Sequence, residues 1–325
     1  MNNREEDATG HCCAECGKED GGGLSLKTCK SCMQVKYCNA VCQKNHWAKH
    51  KTECMLRAAE LRDEALFKVP PPKEDCPICF LPMPVRLLSC ASLSPATISS
   101  VPINEFADTH EELADEIMER YYSCCGKSIC RGCVYSFIQS GNDGKCPFCN
   151  AERDDKTIEG QVEEIRKRAA ANDAASICML ADSYLRGLNG FQQDQTRAIE
   201  LYARAIDLGL SKAYHHLADV YHDGGNFKKA KFYYEVAAMA GDEAARSNLG
   251  ILECNSGNME RGVKHWTIAA SAGCFRSMHN LLTTLKKGFI GRESIDTTLA
   301  AYNSCCSEMR SKARDAYIHD KTGST

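Results

Sequence analysis

The sequence predicts a mainly α-helical chain: two small cysteine-built modules, then an α-solenoid of helix–turn–helix repeats. Three observations predict it. Of 22 cysteines in 325 residues, 17 fall in the first 150. From Ile158 onward the composition turns to Ala, Leu, Tyr and Gly and is poor in proline. In that half a pattern of small, aromatic and glycine positions recurs every 32 residues. The length has room for two or three domains. A formal charge of −3, with 26% charged residues, excludes a global polycation or polyanion.

Compartment decides what the cysteines do. The chain opens MNNREEDATG, without a basic stretch or an apolar core of a secretory signal. The expectation is a cytoplasmic and/or nuclear protein that is not secreted. No apolar run reaches the roughly 18 residues of a membrane span. Under reducing conditions, C-x-x-C pairs are zinc ligands rather than cystines, so Zn2+ is the expected cofactor.

The first cluster occupies residues 11–56. It reads Cys13-x2-Cys16, Cys29-x2-Cys32, Cys38-x3-Cys42 and His50-x3-Cys54, eight ligands and therefore two zinc ions. A C-x-x-C pair suits a turn on which two thiolates converge. The i, i+4 pairs share one helix face, so Cys38/Cys42 and His50/Cys54 can each offer two ligands from a helix. Cys12 is an alternative to Cys13, and His46, four residues before His50, reads as a surface histidine once eight ligands are assigned. The run CxxC…CxxC…YCNAVCQKNHWAKHKTEC resembles a MYND-type zinc finger. The resemblance implies an interleaved arrangement, with Cys13, Cys16, Cys38 and Cys42 on one ion and Cys29, Cys32, His50 and Cys54 on the other. It also implies a protein-interaction module that holds proline-containing peptides, with Gln43 and Trp47 as groove residues; the alternative for Trp47 is to cap a very small core. Lys27 to Arg57 carries seven Lys/Arg and one acid, Glu53. That charge raises nucleic-acid binding as a third reading, weighed against a plain solvated face and the overall charge.

Residues 57–75 read as a helix and linker. The stretch Glu53 to Val69 has leucines and alanines at helical spacing and stops at Pro70-Pro71-Pro72, which favours an extended spacer and a domain boundary. The second cluster, 76–150, begins with Cys76-x2-Cys79. After a long loop come Cys124-Cys125, Cys130-x2-Cys133 and Cys146-x2-Cys149, six cysteines within 26 residues. Eight thiols again suffice for two tetrahedral sites. The order of knuckles resembles a RING finger. The resemblance implies cross-bracing: Cys76, Cys79, Cys130 and Cys133 on one ion, Cys124, Cys125, Cys146 and Cys149 on the other. About four zinc ions per chain follow.

Two departures mark this RING-like segment. Lys127 stands where the family usually has a histidine ligand, and a protonated ammonium cannot bind zinc. Adjacent thiols in extended backbone point to opposite faces, so Cys124 and Cys125 reach one ion only across a tight turn, which Gly126 would help form. The insertion near 86–120 carries two alternative ligands, Cys90 and His110, and the stretch FADTHEELADEIMERYY reads as an amphipathic helix. By the same resemblance Ile78, Phe137 and Pro147 would contact a ubiquitin-conjugating enzyme. Asn150 stands where many relatives place a cation.

The helical half starts with a lead-in helix over 158–171. Over 172–285, Ala198…Tyr202…Ala205…Gly209 recurs as Ala230…Tyr234…Ala237…Gly241 and as Gly262…Trp266…Ala269…Gly273. Small residues let paired helices approach, aromatics fill the space between layers, and glycine ends each second helix. The pattern resembles Sel-one-like (SLR) repeats, relatives of the tetratricopeptide repeat, stable only when stacked. Cys178, Cys254 and Cys274 read as small apolar core residues, and His215, His216 and His222 lack ligand geometry. A capping helix is expected over 292–318 and a disordered tail over 319–325. Cys305-Cys306 is assigned no metal.

No nucleophile triad, phosphate loop or carboxylate pair stands out, so no residue is assigned as catalytic. Two zinc modules and an α-solenoid in series point to an adaptor for other proteins, with RING-type ubiquitin ligase activity on one reading. On the other, it is a non-enzymatic scaffold whose RING-like module is only a fold element.

Overall fold

The computed structural model describes residues 12–21, 23–84, 118–152 and 157–322. Among them are two two-stranded sheets and twelve α-helices. The chain divides into two compact units, Met1–Lys68 and Val69–Thr325.

In the first unit, β1 (Lys27–Thr28) pairs antiparallel with β2 (Lys36–Tyr37), and α1 (Ala40–Leu66) follows. Asn39 starts α1: its side chain accepts from the Cys42 amide at 2.9 Å, satisfying one of the free N–H groups of the first turn. The helix then runs 27 residues without a break. The boundary expected near residue 56 therefore falls inside a helix that carries three zinc-ligand positions and the start of the linker. Cys38 itself precedes the helix.

The second unit contains the remaining elements. The hairpin of β3 (Glu119–Tyr122) and β4 (Lys127–Cys130) leads into α2 (Arg131–Gln139). The sequence places Glu119 to Tyr122 at the end of an amphipathic helix. The structure makes it a strand, because pairing with β4 in the register Tyr122↔Lys127 closes the turn that carries Cys124 and Cys125. Residues 106–117 of that expected helix, with His110, and the alternative ligand Cys90 lie outside the described residues.

The array comprises α3 (Ile158–Ala170), α4 (Ala174–Arg186), α5 (Gln195–Asp207), α6 (Lys212–Asp223), α7 (Phe227–Met239), α8 (Glu243–Asn255), α9 (Met259–Ser271) and α10 (Phe275–Lys286). Each packs on the next in sequence. Side chains cap the starts: Asp194 and Asn226, 32 residues apart, accept from the amides three residues on. The repeated small positions Ala198, Ala205, Ala230, Ala237 and Ala269 are fully buried, with Tyr202, Tyr234 and Trp266 packed among them. Gly209, Gly241 and Gly273 follow α5, α7 and α9 at φ of 91°, 98° and 88°, a conformation that an L side chain resists. The turn lets the next amide bond back, as Leu210 does to the Ala205 carbonyl at 3.0 Å.

Two expectations about the segments flanking the array need correction. The proline spacer is docked: Lys73 pairs with buried Glu243, and a Cβ on Gly241 would lie 3.1 Å from Pro71. The expected terminal helix is two, α11 (Arg292–Glu308) and α12 (Lys312–Thr322), so helix continues past residue 318 into the expected tail. Ser311 makes the break, its hydroxyl accepting from the Arg314 amide at 3.2 Å at the start of α12.

Helices α8 and α9 cross where Gly250 and Gly262 meet. A Cβ on Gly250 would sit 2.5 Å from the Trp266 indole nitrogen. Gly250→Ala should destabilise the array by about 1–3 kcal/mol through overpacking, read as a lowered midpoint of thermal unfolding by circular dichroism.

Candidate metal centres

Four groups of ligand atoms converge, each within 4.8 Å of one another: Cys13, Cys16, Cys38, Cys42; Cys29, Cys32, His50, Cys54; Cys76, Cys79, Cys130, Cys133; and Cys124, Cys125, Cys146, Cys149. A tetrahedral ion with bonds to sulfur of about 2.3 Å separates its sulfurs by about 3.8 Å. The observed separations fit: 3.6 Å for Cys16–Cys38, 3.7 Å for Cys29–Cys54, 3.8 Å for Cys79–Cys130 and 3.8 Å for Cys125–Cys146. His50 turns Nε2 toward Cys32, at 3.2 Å from its sulfur. Three of the sets are all cysteine and the other joins three cysteines to His50. Such donors suit Zn2+, and four protein ligands fill a structural rather than a catalytic site.

One turn is used four times. In the knuckles starting at Cys13, Cys29, Cys76 and Cys146, the amide four residues on donates to the first cysteine's carbonyl, at 2.9, 3.0, 2.9 and 2.9 Å. The donors are Gly17, Met33, Phe80 and Asn150, all at φ between 56° and 72°. The turn aims its amides inward. Burial pushes the Cys13 thiol up, but the amides of Cys16, Cys38 and Glu15 outweigh it and bring it down to about 6. Burial likewise raises Cys29, but the Cys32 amide and the His50 ring lead the groups that lower it to about 6. Its neighbour Cys54 moves the other way, raised to about 12 by burial and by the nearby Cys29 and Cys32. Within each MYND quartet, a lowered thiol, Cys13 or Cys29, thus faces a raised one, Cys42 or Cys54, a repulsion of like charge that a dication among the sulfurs would relieve.

The doublet is solved by a turn. The amides of Cys125 and Gly126 both point to the Tyr122 carbonyl, at 3.3 and 2.8 Å, and Gly126 takes φ of 69°. Both thiols reach the same quartet, as expected of a tight turn. Lys127 lies outside it, with Nζ 5.7 Å from the Phe148 ring centre.

Other assigned residues fall as follows. Cys12 is exposed and outside the first quartet. His46 is no ligand: its Nδ1 lies 3.0 Å from the Tyr37 hydroxyl and its ring stacks on His50 at 5.7 Å. Gln43 and Trp47 are exposed on α1 at i, i+4, and Trp47, at 43% exposure, does not cap the core. Ile78 packs against the core of the second module, and Phe137 and Pro147 are half-buried. A further trio, Cys178, Asp182 and His216, comes within the same 4.8 Å. It belongs to the array's packing: Asp182 accepts from the Tyr202 hydroxyl at 2.5 Å, and His216 stacks on that tyrosine at 5.6 Å.

Residues 13–54 match the family model of the MYND finger. The N-terminal module is a MYND finger. Residues 174–210, 211–242 and 248–274 match the Sel1 repeat. No curated protein matches the chain. Among solved structures it is similar to a Sel1 repeat protein from Oxalobacter formigenes, at 22% identity and a TM-score of 0.41 over 55% of this chain and 72% of that one. It is also similar to c5321, a protective antigen of uropathogenic Escherichia coli with an SLR fold, at 17% identity and a TM-score of 0.37 over 58% and 43% of the two chains.

The Sel1 array carries a groove of about 700 Å³. Asp182, His216, Asp219, Asp223, Ile251 and Leu252 are among its lining residues. Its floor is a ladder of repeat-equivalent pairs: Tyr202 donates to Asp182 and Tyr234 to Asp219, each at 2.5 Å. In the third repeat Trp266 takes the tyrosine place and donates instead to the Ser247 carbonyl at 3.1 Å.

Sequence reasoning missed what braces the second module. Tyr121 of β3 donates to Asp173 at 2.9 Å and receives from Arg168 at 3.1 Å, and Glu119 pairs with Lys212. No local pattern marks these residues, since each partner lies more than 45 positions away.

Metal analysis of the intact chain should return about four zinc ions, one per quartet. Cys124→Ser and Cys125→Ser should each lower the count by one. A full count in either variant would hand that position to Cys90 or His110.

Proposed function

We propose that the chain is a zinc-binding protein-interaction adaptor, a reading supported by its MYND finger, a second cysteine-rich module with two ligand quartets and its Sel1 repeats. We propose that the second module works as a RING-type ubiquitin ligase, binding a ubiquitin-charged conjugating enzyme while the MYND finger and the array hold clients. What carries this reading is the interleaving of its two quartets. The first and third cysteine pairs share one site and the second and fourth share the other. This sets the helix α2 between two zinc loops, with Ile78 in the first and Pro147 in the last. Such a module forms no covalent intermediate; it would act by holding the thioester in its reactive geometry. Exposed Gln43 and Trp47 on one face of α1 support a peptide groove at the MYND finger.

The non-enzymatic scaffold draws on one observation. Asn150 fills the place of the ubiquitin-holding cation, and the knuckle there requires φ of 58°, which Asn tolerates better than most residues.

Autoubiquitination with a panel of conjugating enzymes separates the two. Ile78→Ala should weaken the productive enzyme's binding by about 2 kcal/mol, roughly 30-fold, and abolish chain formation without changing zinc content. Silence with every conjugating enzyme would leave the scaffold reading. For the MYND finger, Trp47→Ala should cost a comparable loss in binding to proline-containing peptides from a screen, measured by fluorescence anisotropy.

A further inference from the structure

Arg314, on the last helix, is fully buried. Its guanidinium has five N–H donors and, among the described residues, meets these five acceptors. Nε donates to Cys130 Sγ at 3.4 Å and Nη2 to Cys79 Sγ at 3.4 Å. Nη1 donates to the Pro82 carbonyl at 2.8 Å and the Met309 carbonyl at 2.6 Å, and Nη2 to the Leu81 carbonyl at 3.3 Å. Among these five acceptors only the sulfurs can carry charge, and both belong to the quartet Cys76, Cys79, Cys130, Cys133.

The backbone is committed to the same contact. A Cβ on Gly132 of α2 would lie 2.6 Å from the Arg314 amide nitrogen, so α12 approaches α2 as closely as glycine permits. Beside it Tyr317 packs on Tyr135 with ring centres 6.0 Å apart, over buried Met118.

Charge makes the pairing more than packing. A zinc ion with four thiolates carries a net charge of −2, and a guanidinium bonded to two of them halves it. Conversely, a buried guanidinium is costly without a negative partner, and four thiolates gathered in one site repel one another unless a dication sits among them. We infer that Arg314 is the counter-cation of this zinc site, and that zinc retention there and docking of the C-terminal helix are coupled. Coupling of two binding equilibria is reciprocal: losing the ion frees α12, and losing α12 loosens the ion.

The test uses the full-length, zinc-loaded chain challenged with a chromogenic chelator, with freed cysteines trapped by alkylation and mapped by mass spectrometry. In Arg314→Leu one zinc of four should leave about 10–100-fold faster, the range for lost outer-shell partners, with Cys76, Cys79, Cys130 and Cys133 alkylated first. Arg314→Lys should fall between, keeping the charge but losing the planar fork. Tyr317→Ala, which loosens α12 without touching the guanidinium, should speed release less than Arg314→Leu. Unchanged release in Arg314→Leu, equal loosening of all quartets, or Tyr317→Ala matching it would reduce Arg314 to a packing residue. A reverse measurement needs no arginine variant. Hydrogen exchange over 312–322 should rise in Cys79→Ser and stay near wild type in Cys124→Ser; equal protection in the two would overturn the coupling.

Discussion

The zinc modules have very little to fold around except their own ligands. In the MYND finger the buried apolar cluster is Cys13, Leu26, Cys29, Cys32, Tyr37 and Cys54, so only Leu26 and Tyr37 are not ligands. In the second module, among the described residues, the buried cluster adds only Tyr122, Ile129 and Val134 to Cys76, Cys130, Cys133 and Cys146. Cores of that size cannot offset the entropy of ordering these segments. A structural zinc ion contributes on the order of 10 kcal/mol to such a site, and the repeated knuckle turn prepares for it by pointing amides at the sulfur positions. The tetrahedra are therefore the folding units here, and the short hairpins and helix starts are what is needed to deliver ligands to them.

The array solves the same problem by the opposite means. Alanines and glycines at fixed positions bring helices into contact, and each repeat buries its face on the next. Some of its polar groups pair within that packing, as in the Tyr–Asp pairs that line the groove. The second zinc module leans on this rigid body at two separate places: the β3–β4 hairpin through Tyr121, Asp173 and Arg168, and α2 through α12. The proline segment preceding it is held as well, by Lys73 and Glu243.

What could be read from the sequence was whatever is local and periodic. Ligand spacing encodes the knuckles because two thiolates three residues apart need only one turn. The 32-residue recurrence exposes the Sel1 repeats because every unit buries the same small and aromatic positions. Pairings between distant segments left no such trace. Glu119 to Tyr122 has a helical hydrophobic pattern, yet its pairing with β4 outweighs that preference. The break at Ser311 has only a capping residue to announce it, inside a stretch otherwise rich in helix formers. Arg314 reads as one more surface charge on a terminal helix, and nothing nearby signals that its partners are sulfurs more than 180 residues earlier.

That last contact changes what counts as a module. By ligand spacing alone, the second zinc module is complete at residue 150. By charge it is not, since the counter-cation of one of its two sites arrives from residue 314. An excised fragment of 76–150 would keep every thiol and lose the guanidinium, the Tyr317–Tyr135 contact and the hairpin's anchor on Asp173. The module and the array are thus one cooperative body. On the function proposed above, clients in the array's groove and a partner on Ile78, Phe137 and Pro147 would both be held by this one body. Such an arrangement favours partners of matching span and excludes others, a selectivity that resides in neither surface by itself.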